Sequence, residues 1–110
     1  MSHFLLRWQL KDDTAKNLVK HPQDRTGPAT TLMESFGGKL HSYFFALGDY
    51  DGVAIVEFPD NVSAVACSMS AASTGAFARF ETTVLLTAGE AEAAMKKAKQ
   101  TKTGYKAPNE

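Results

Sequence analysis

Two strand-like segments, Lys39–Leu47 and Val53–Phe58, are separated only by Gly48-Asp49-Tyr50-Asp51-Gly52. A link that short, with glycine at both ends and turn-forming aspartates between, ties them into an antiparallel hairpin. The rest of the chain has to build around this hairpin. His3–Leu10 alternates strictly, with Phe4, Leu6, Trp8 and Leu10 on one face and His3, Leu5, Arg7 and Gln9 on the other, which is a strand. Thr14–Phe36 is helical in character but is interrupted at Pro22 and at Gly27-Pro28. It therefore reads as a short helix near Ala15–Lys20 and a second one ending at Phe36. Ala29, Leu32, Met33 and Phe36 form the apolar face of that second helix, and Gly37-Gly38 stops it.

Pro59-Asp60-Asn61 closes the third strand and opens another helix, with Asp60 or Asn61 as N-cap. Val62, Val65, Ala66 and Met69 repeat at helical spacing there, and the Ala- and Ser-rich composition suits close packing on a sheet. Gly75–Thr87 holds the fourth strand, centred on Phe80–Leu86. Thr87-Ala88-Gly89-Glu90 is a capping box that starts a last helix, with Ala91, Ala94, Met95 and Ala98 on one side. The polar stretch 101–110 is expected to be an extended tail.

The order β-α-β-β-α-β-α, with right-handed crossovers, places both intervening helices on one face of a four-stranded antiparallel sheet of order 4-1-3-2. The expected fold is thus an α+β ferredoxin-like βαββαβ sandwich with an added C-terminal helix, a single domain over residues 1–100. The 110 residues contain 44% hydrophobic and 22% charged side chains, ordinary proportions for a folded domain. Twelve basic residues balance twelve acidic ones, which offers no general attraction to nucleic acid or to an anionic membrane. Cys67 is the one cysteine, so an intramolecular disulfide and a cysteine zinc cage are both excluded. It is expected to be buried and inert. Phe4–Leu6 is too short for a secretory core, and nothing approaches the ~18 apolar residues of a membrane span. The chain reads as cytoplasmic.

The segment Gly48-Asp49-Tyr50-Asp51-Gly52-Val53-Ala54-Ile55-Val56-Glu57-Phe58-Pro59-Asp60 resembles the signature of the GYD domain family, with its Gly-x-Tyr-Asp turn. Gly37-Gly38-Lys39-Leu40 and Phe80-Glu81-Thr82-Thr83-Val84-Leu85-Leu86-Thr87 are similar to that family as well. The resemblance implies a dimeric α/β barrel, in which two sheets face each other across a subunit interface. It implies no particular activity, because relatives in the wider superfamily include cofactor-independent monooxygenases, haem-handling enzymes and muconolactone-type isomerases.

Parity assigns the two sheet faces. Phe4, Leu6, Trp8, Ala54, Val56, Phe58, Phe80, Val84 and Leu86 suit the helix side. The other face carries Leu5, Arg7, Gln9, His41, Tyr43, Phe45, Val53, Ile55, Glu57, Glu81, Thr83 and Leu85, unless a one-residue bulge reverses part of a strand. That mixed face is too apolar for a solvated one and is expected to meet a second copy of the chain. Arg7 is expected between Glu81 and Glu57, with His41 beyond Glu57. These charges serve either as an ion-pair network fixing dimer register or as a polar pocket, with His41 as acid/base and Arg7 as anion anchor. A metal site built from His41 with Glu57 or Glu81 is the least supported alternative, lacking clustered histidines in sequence. Tyr50 and Asp51 are turn residues or the rim of the pocket, and His3 and His21 are expected at the surface.

The candidate pocket is therefore Arg7, His41, Tyr43, Tyr50, Asp51, Glu57 and Glu81, with no cofactor or metal assigned. Expected partners are a second copy, as a homodimer or a larger oligomer of dimers, and a small-molecule ligand held in a sheet-face cavity at the dimer interface. A purely structural module and a cofactor-independent oxygenase or isomerase are the other readings, and no motif separates the three.

Overall fold

The computed structural model describes residues 1–109. Strand β1 (Ser2–Leu10) is followed by helices α1 (Asp12–Lys20) and α2 (Thr26–Ser35), then β2 (Lys39–Phe45), β3 (Gly52–Phe58), α3 (Asn61–Ala72), β4 (Phe77–Leu85) and α4 (Ala88–Gln100). The sheet order is β2-β3-β1-β4 with every neighbouring pair antiparallel, which is the predicted order read from the opposite edge. The break in the first helical region falls between α1 and α2. Residues 101–109 carry no helix or strand; Glu110 of the expected tail lies outside the described residues.

Local chemistry explains the boundaries. Gly37 adopts φ +76° and ends α2, while the amides of Gly37 and Gly38 donate to the Glu34 and Met33 carbonyls at 3.0 and 2.9 Å. Asp60 caps α3 by accepting the Ser63 amide at 2.7 Å. Thr87 and Glu90 close both halves of the capping box that opens α4.

The core lies between one sheet face and the helices. It is built from Phe4, Leu6 and Trp8 of β1, Ala54, Val56 and Phe58 of β3, Met33 of α2, and Ala64 and Cys67 of α3. On two helices the run of larger apolar residues does not mark a buried face. On α3 the buried side is Ala64, Cys67, Ser68 and Ala71, whereas Val62, Val65 and Met69 are exposed. The large side chains Phe4, Leu6 and Phe58 fill the sheet surface beneath, so small residues make the closest fit. On α4 no residue is buried, and Met95 is 68% exposed.

The parity reading holds for β1, β3 and the β4 residues Phe80–Leu85, and fails in β2 beyond His41. Leu40 pairs with Val56 and Ser42 with Ile55, so His41 is an extra residue, a β-bulge. From that point the faces reverse. Tyr43, opposite Ala54, and Phe45, opposite Gly52, lie on the helix side rather than beside Arg7 and His41, while Phe44 faces outward. A second irregularity sets Gln9 opposite Arg79 and Leu10 opposite Phe77, leaving Ala78 as the extra residue. It turns Phe77 to the helix side beside Phe80. Val84 faces the helices opposite Phe4, yet it is 53% exposed because β4 is a sheet edge.

Candidate functional site

Three groups of side chains could carry function, two on the open sheet face and one beneath the helices. The first gathers around Glu81. Arg7, directly opposite it on β1, donates from Nη2 to Glu81 Oε2 at 3.2 Å, and the Tyr50 hydroxyl donates to the same oxygen at 2.9 Å. Arg79 Nε stands 3.7 Å from Glu81 Oε1. The guanidinium carbons of Arg7 and Arg79 lie 4.6 and 4.9 Å from the centre of the Tyr50 ring, so the turn tyrosine serves both arginines as a cation–π surface. Arg79 also donates to the Asp49 carbonyl at 3.1 Å, tying β4 to the hairpin turn. Arg7 Nε is buried without a hydrogen-bond partner among the described residues.

Asp51 belongs to this turn but not to the cluster. Its Oδ2 accepts the Leu10 amide at 2.7 Å, and its own amide donates to the Trp8 carbonyl at 2.8 Å. The side chain thus acts as one more rung of the β1–β3 ladder, beyond the last paired residue. Its backbone carbonyl accepts from Ala46 at 2.9 Å. The Tyr-Asp pair of the turn joins β4 and β1, respectively, to the hairpin.

The second group is His3, His41 and Glu57. The register sets His3 opposite Glu57 and leaves Arg7 opposite Val53, so Arg7 does not sit between two glutamates as expected. His41 Nε2 is 2.7 Å and His3 Nε2 is 3.2 Å from the same oxygen, Glu57 Oε1, and the two imidazoles stack at 5.7 Å. The hydrogen bond from His41 holds the Glu57 carboxyl below its ordinary range against the opposing effect of desolvation, with the charges of His3, His41 and the N-terminus assisting. The two groups are separated by the four residue steps from His3 to Arg7, about 13 Å along β1. His3 was expected at the surface; only the β1–β3 register, a long-range property, brings it to Glu57.

The third group is a cavity of about 270 Å³ between α1, α2 and the sheet. Its walls are Trp8, Tyr43, Phe45, Phe77 and Phe80, with Leu18, Leu32 and Met33 from the helices and Arg25, Gln23, Asn17 and Thr14 supplying polar groups. Trp8 stacks on Phe80 at 5.9 Å and 15°, Tyr43 lies 5.4 Å from Trp8, and Phe77 meets Phe80 edge-on at 5.2 Å. Burial raises the Tyr43 phenol above its ordinary range, with Arg25 pulling it down and Asp24 pushing it up. Both bulges supply this wall, one by turning Tyr43 and Phe45 inward and the other by turning Phe77. Nothing in the composition around His41 or Ala78 marks a bulge, so parity alone missed the cavity.

An antiparallel sheet of this order, with α2 and α3 on one face and two polar clusters among apolar side chains on the other, defines a ferredoxin-like α+β domain. The chain belongs to the GYD domain family, whose model matches residues 4–95, from β1 into α4. The match includes the hairpin turn and all the site residues named above except His3. Comparison with curated proteins finds no match to this chain. Among the described residues no helix is long and apolar enough to cross a membrane.

Proposed function

We propose that this GYD domain is a small-molecule-binding protein that works as a face-to-face homodimer, its ligand held under α1 and α2 in each subunit. The aromatic cavity carries the reading. Binding sites for small molecules are mostly apolar hollows of roughly 300–1,000 Å³ with a few convergent polar groups. A volume of about 270 Å³ suits a single ring or a short branched chain. The flat faces of Trp8, Phe77, Phe80 and Tyr43 favour an unsaturated or aromatic body, and Arg25 at the margin favours a carboxylate or similar anionic end. Two β-bulges converge on this one wall, a device enriched beside functional sites. The expected ligand space thus moves from the open face to the helix face.

Dimerisation is supported by the open face itself. Ile55 and Phe44 are exposed there, Leu5, Val53 and Leu85 are half-buried, and the two charge clusters divide the apolar surface between them. An apolar sheet face with internally paired charges is suited to meeting its own copy.

Trp8 is the single tryptophan and lines the cavity, so its emission reports occupancy directly. A panel of single-ring aromatic carboxylates, matched with neutral analogues, is expected to raise the melting temperature and change Trp8 emission, the acids more than the neutral compounds. Arg25→Ala should remove that difference. If no member of the panel alters stability or emission, the binding reading is wrong. For the dimer, Ile55→Arg should halve the mass measured by light scattering; an unchanged mass rules out pairing through this face.

A further inference from the structure

We propose that His3, His41 and Glu57 form a binding site for a divalent transition-metal ion of the zinc class on the open face of the sheet. The three come from adjacent strands, β1, β2 and β3, with the carboxylate between the two imidazoles. Each offers one donor atom, and the three atoms lie within 4.8 Å of one another. Both histidines present Nε2 to the same carboxylate oxygen.

The spacing fits a metal. With bonds of about 2.0–2.2 Å and tetrahedral angles near 109°, two ligand atoms stand roughly 3.3–3.5 Å apart. His3 Nε2 and Glu57 Oε1 are already 3.2 Å apart. His41 Nε2 at 2.7 Å has to move out by roughly 0.6 Å, and the two imidazole donors, within 4.8 Å of each other, have to settle at the same spacing, shifts within reach of side-chain torsions on partly exposed residues.

Donor chemistry selects the ion. Two imidazoles and one carboxylate suit zinc, cobalt, nickel or ferrous iron, whereas calcium and magnesium prefer all-oxygen surroundings. The His41 bulge adds a further reason. An extra residue in β2 is unpaired in the ladder, so its side chain can be aimed at Glu57 without disturbing Leu40 or Ser42. In the single subunit the three side chains are about a quarter to a third exposed, which leaves coordination positions open to water, or to a donor from the second copy once the faces pair.

Metal-free protein titrated with Zn²⁺ against a chromogenic chelator tests the site, with Co²⁺ as the spectroscopic probe. One Zn²⁺ per chain is expected, along with visible Co²⁺ absorption typical of a low-coordinate nitrogen–oxygen site. His3→Ala, His41→Ala and Glu57→Gln should each weaken Zn²⁺ binding at least ~10-fold, and His21→Ala, in the exposed link after α1, should not. In the wild-type protein, Zn²⁺ should shift the NMR ring resonances of His3 and His41 and leave His21 unmoved, a readout independent of whether the variants fold. The proposal is overturned if no saturable binding is seen, if the three variants bind as wild type, or if His21 is the ring that moves.

Discussion

Gly52 sits at the end of the hairpin turn, opposite Trp8, with the indole lying across its backbone. A Cβ placed there would stand 2.2–2.4 Å from three indole atoms. The ring cannot retreat easily, because Phe80 and Tyr43 flank it. Gly52→Ala is therefore expected to destabilise the domain by roughly 1–3 kcal/mol, read as a lower urea midpoint; an unchanged midpoint would mean that the aromatic group rearranges freely. Cys67 makes the opposite point about reactivity. Its thiol is 1% exposed, packs 3.5 Å from the Met33 sulfur, and is pushed up to about 11 by desolvation. A folded-state value above the usual thiol range means that thiolate is scarce at pH 8 while the protein is folded and appears once it unfolds. Thiol reagents at pH 8 should accordingly label Cys67 only in denaturant, and rapid labelling of the native protein would contradict its packing.

At the scale of elements, the bulge in β2 permits an unusual test. Because His41 is the extra residue, removing it leaves Leu40 opposite Val56, Ser42 opposite Ile55 and Tyr43 still facing the cavity. Deletion of His41 should preserve the fold and the Trp8 emission. Deletion of Ile55 from β3, where no extra residue absorbs the loss, should unfold the domain, since a one-residue slip sends a strand's core residues to the wrong face. Equal damage from both deletions, by circular dichroism and melting, would refute the register. The same bulge marks the boundary of what sequence could disclose. The hairpin, the strand order, the break between α1 and α2 and both N-caps depend on local residues such as Gly48, Pro22, Asp60 and Thr87, and all were legible. Arg7 with Glu81 is legible because parity carries across the regular β1–β4 ladder there, and His41 keeps its expected face because the reversal begins only after it. Parity puts Tyr43 on the wrong face because the bulge has no signature residue, and the sequence reads His3 as a surface residue because its neighbour is set by the β1–β3 register. Hydrophobicity alone does not pick out the inner side of α3: Val62, Val65 and Met69 outweigh Ala64, Cys67 and Ala71, yet the small residues are the buried ones.

For the whole molecule, the sheet with α2 and α3 holds the packed interior, while α1 and α4 contribute no buried residue. The three outer features, the open sheet face, the exposed Val62–Val65–Met69 side of α3 and the Ala–Met side of α4, leave apolar area that this chain does not cover itself. The α4 helix, closed at its start by Thr87 and Glu90, places no residue in the core, and residues 101–109 beyond it carry no helix or strand. The molecule consequently spans 58 × 32 × 22 Å with a radius of gyration of 17.7 Å, where a compact chain of this length would have about 13 Å. Such a particle meets more friction in water than its mass implies. Elution from a sizing column measures that drag, so a lone subunit would travel as though it were already paired, and subunit number has to be taken from scattered intensity or sedimentation equilibrium instead.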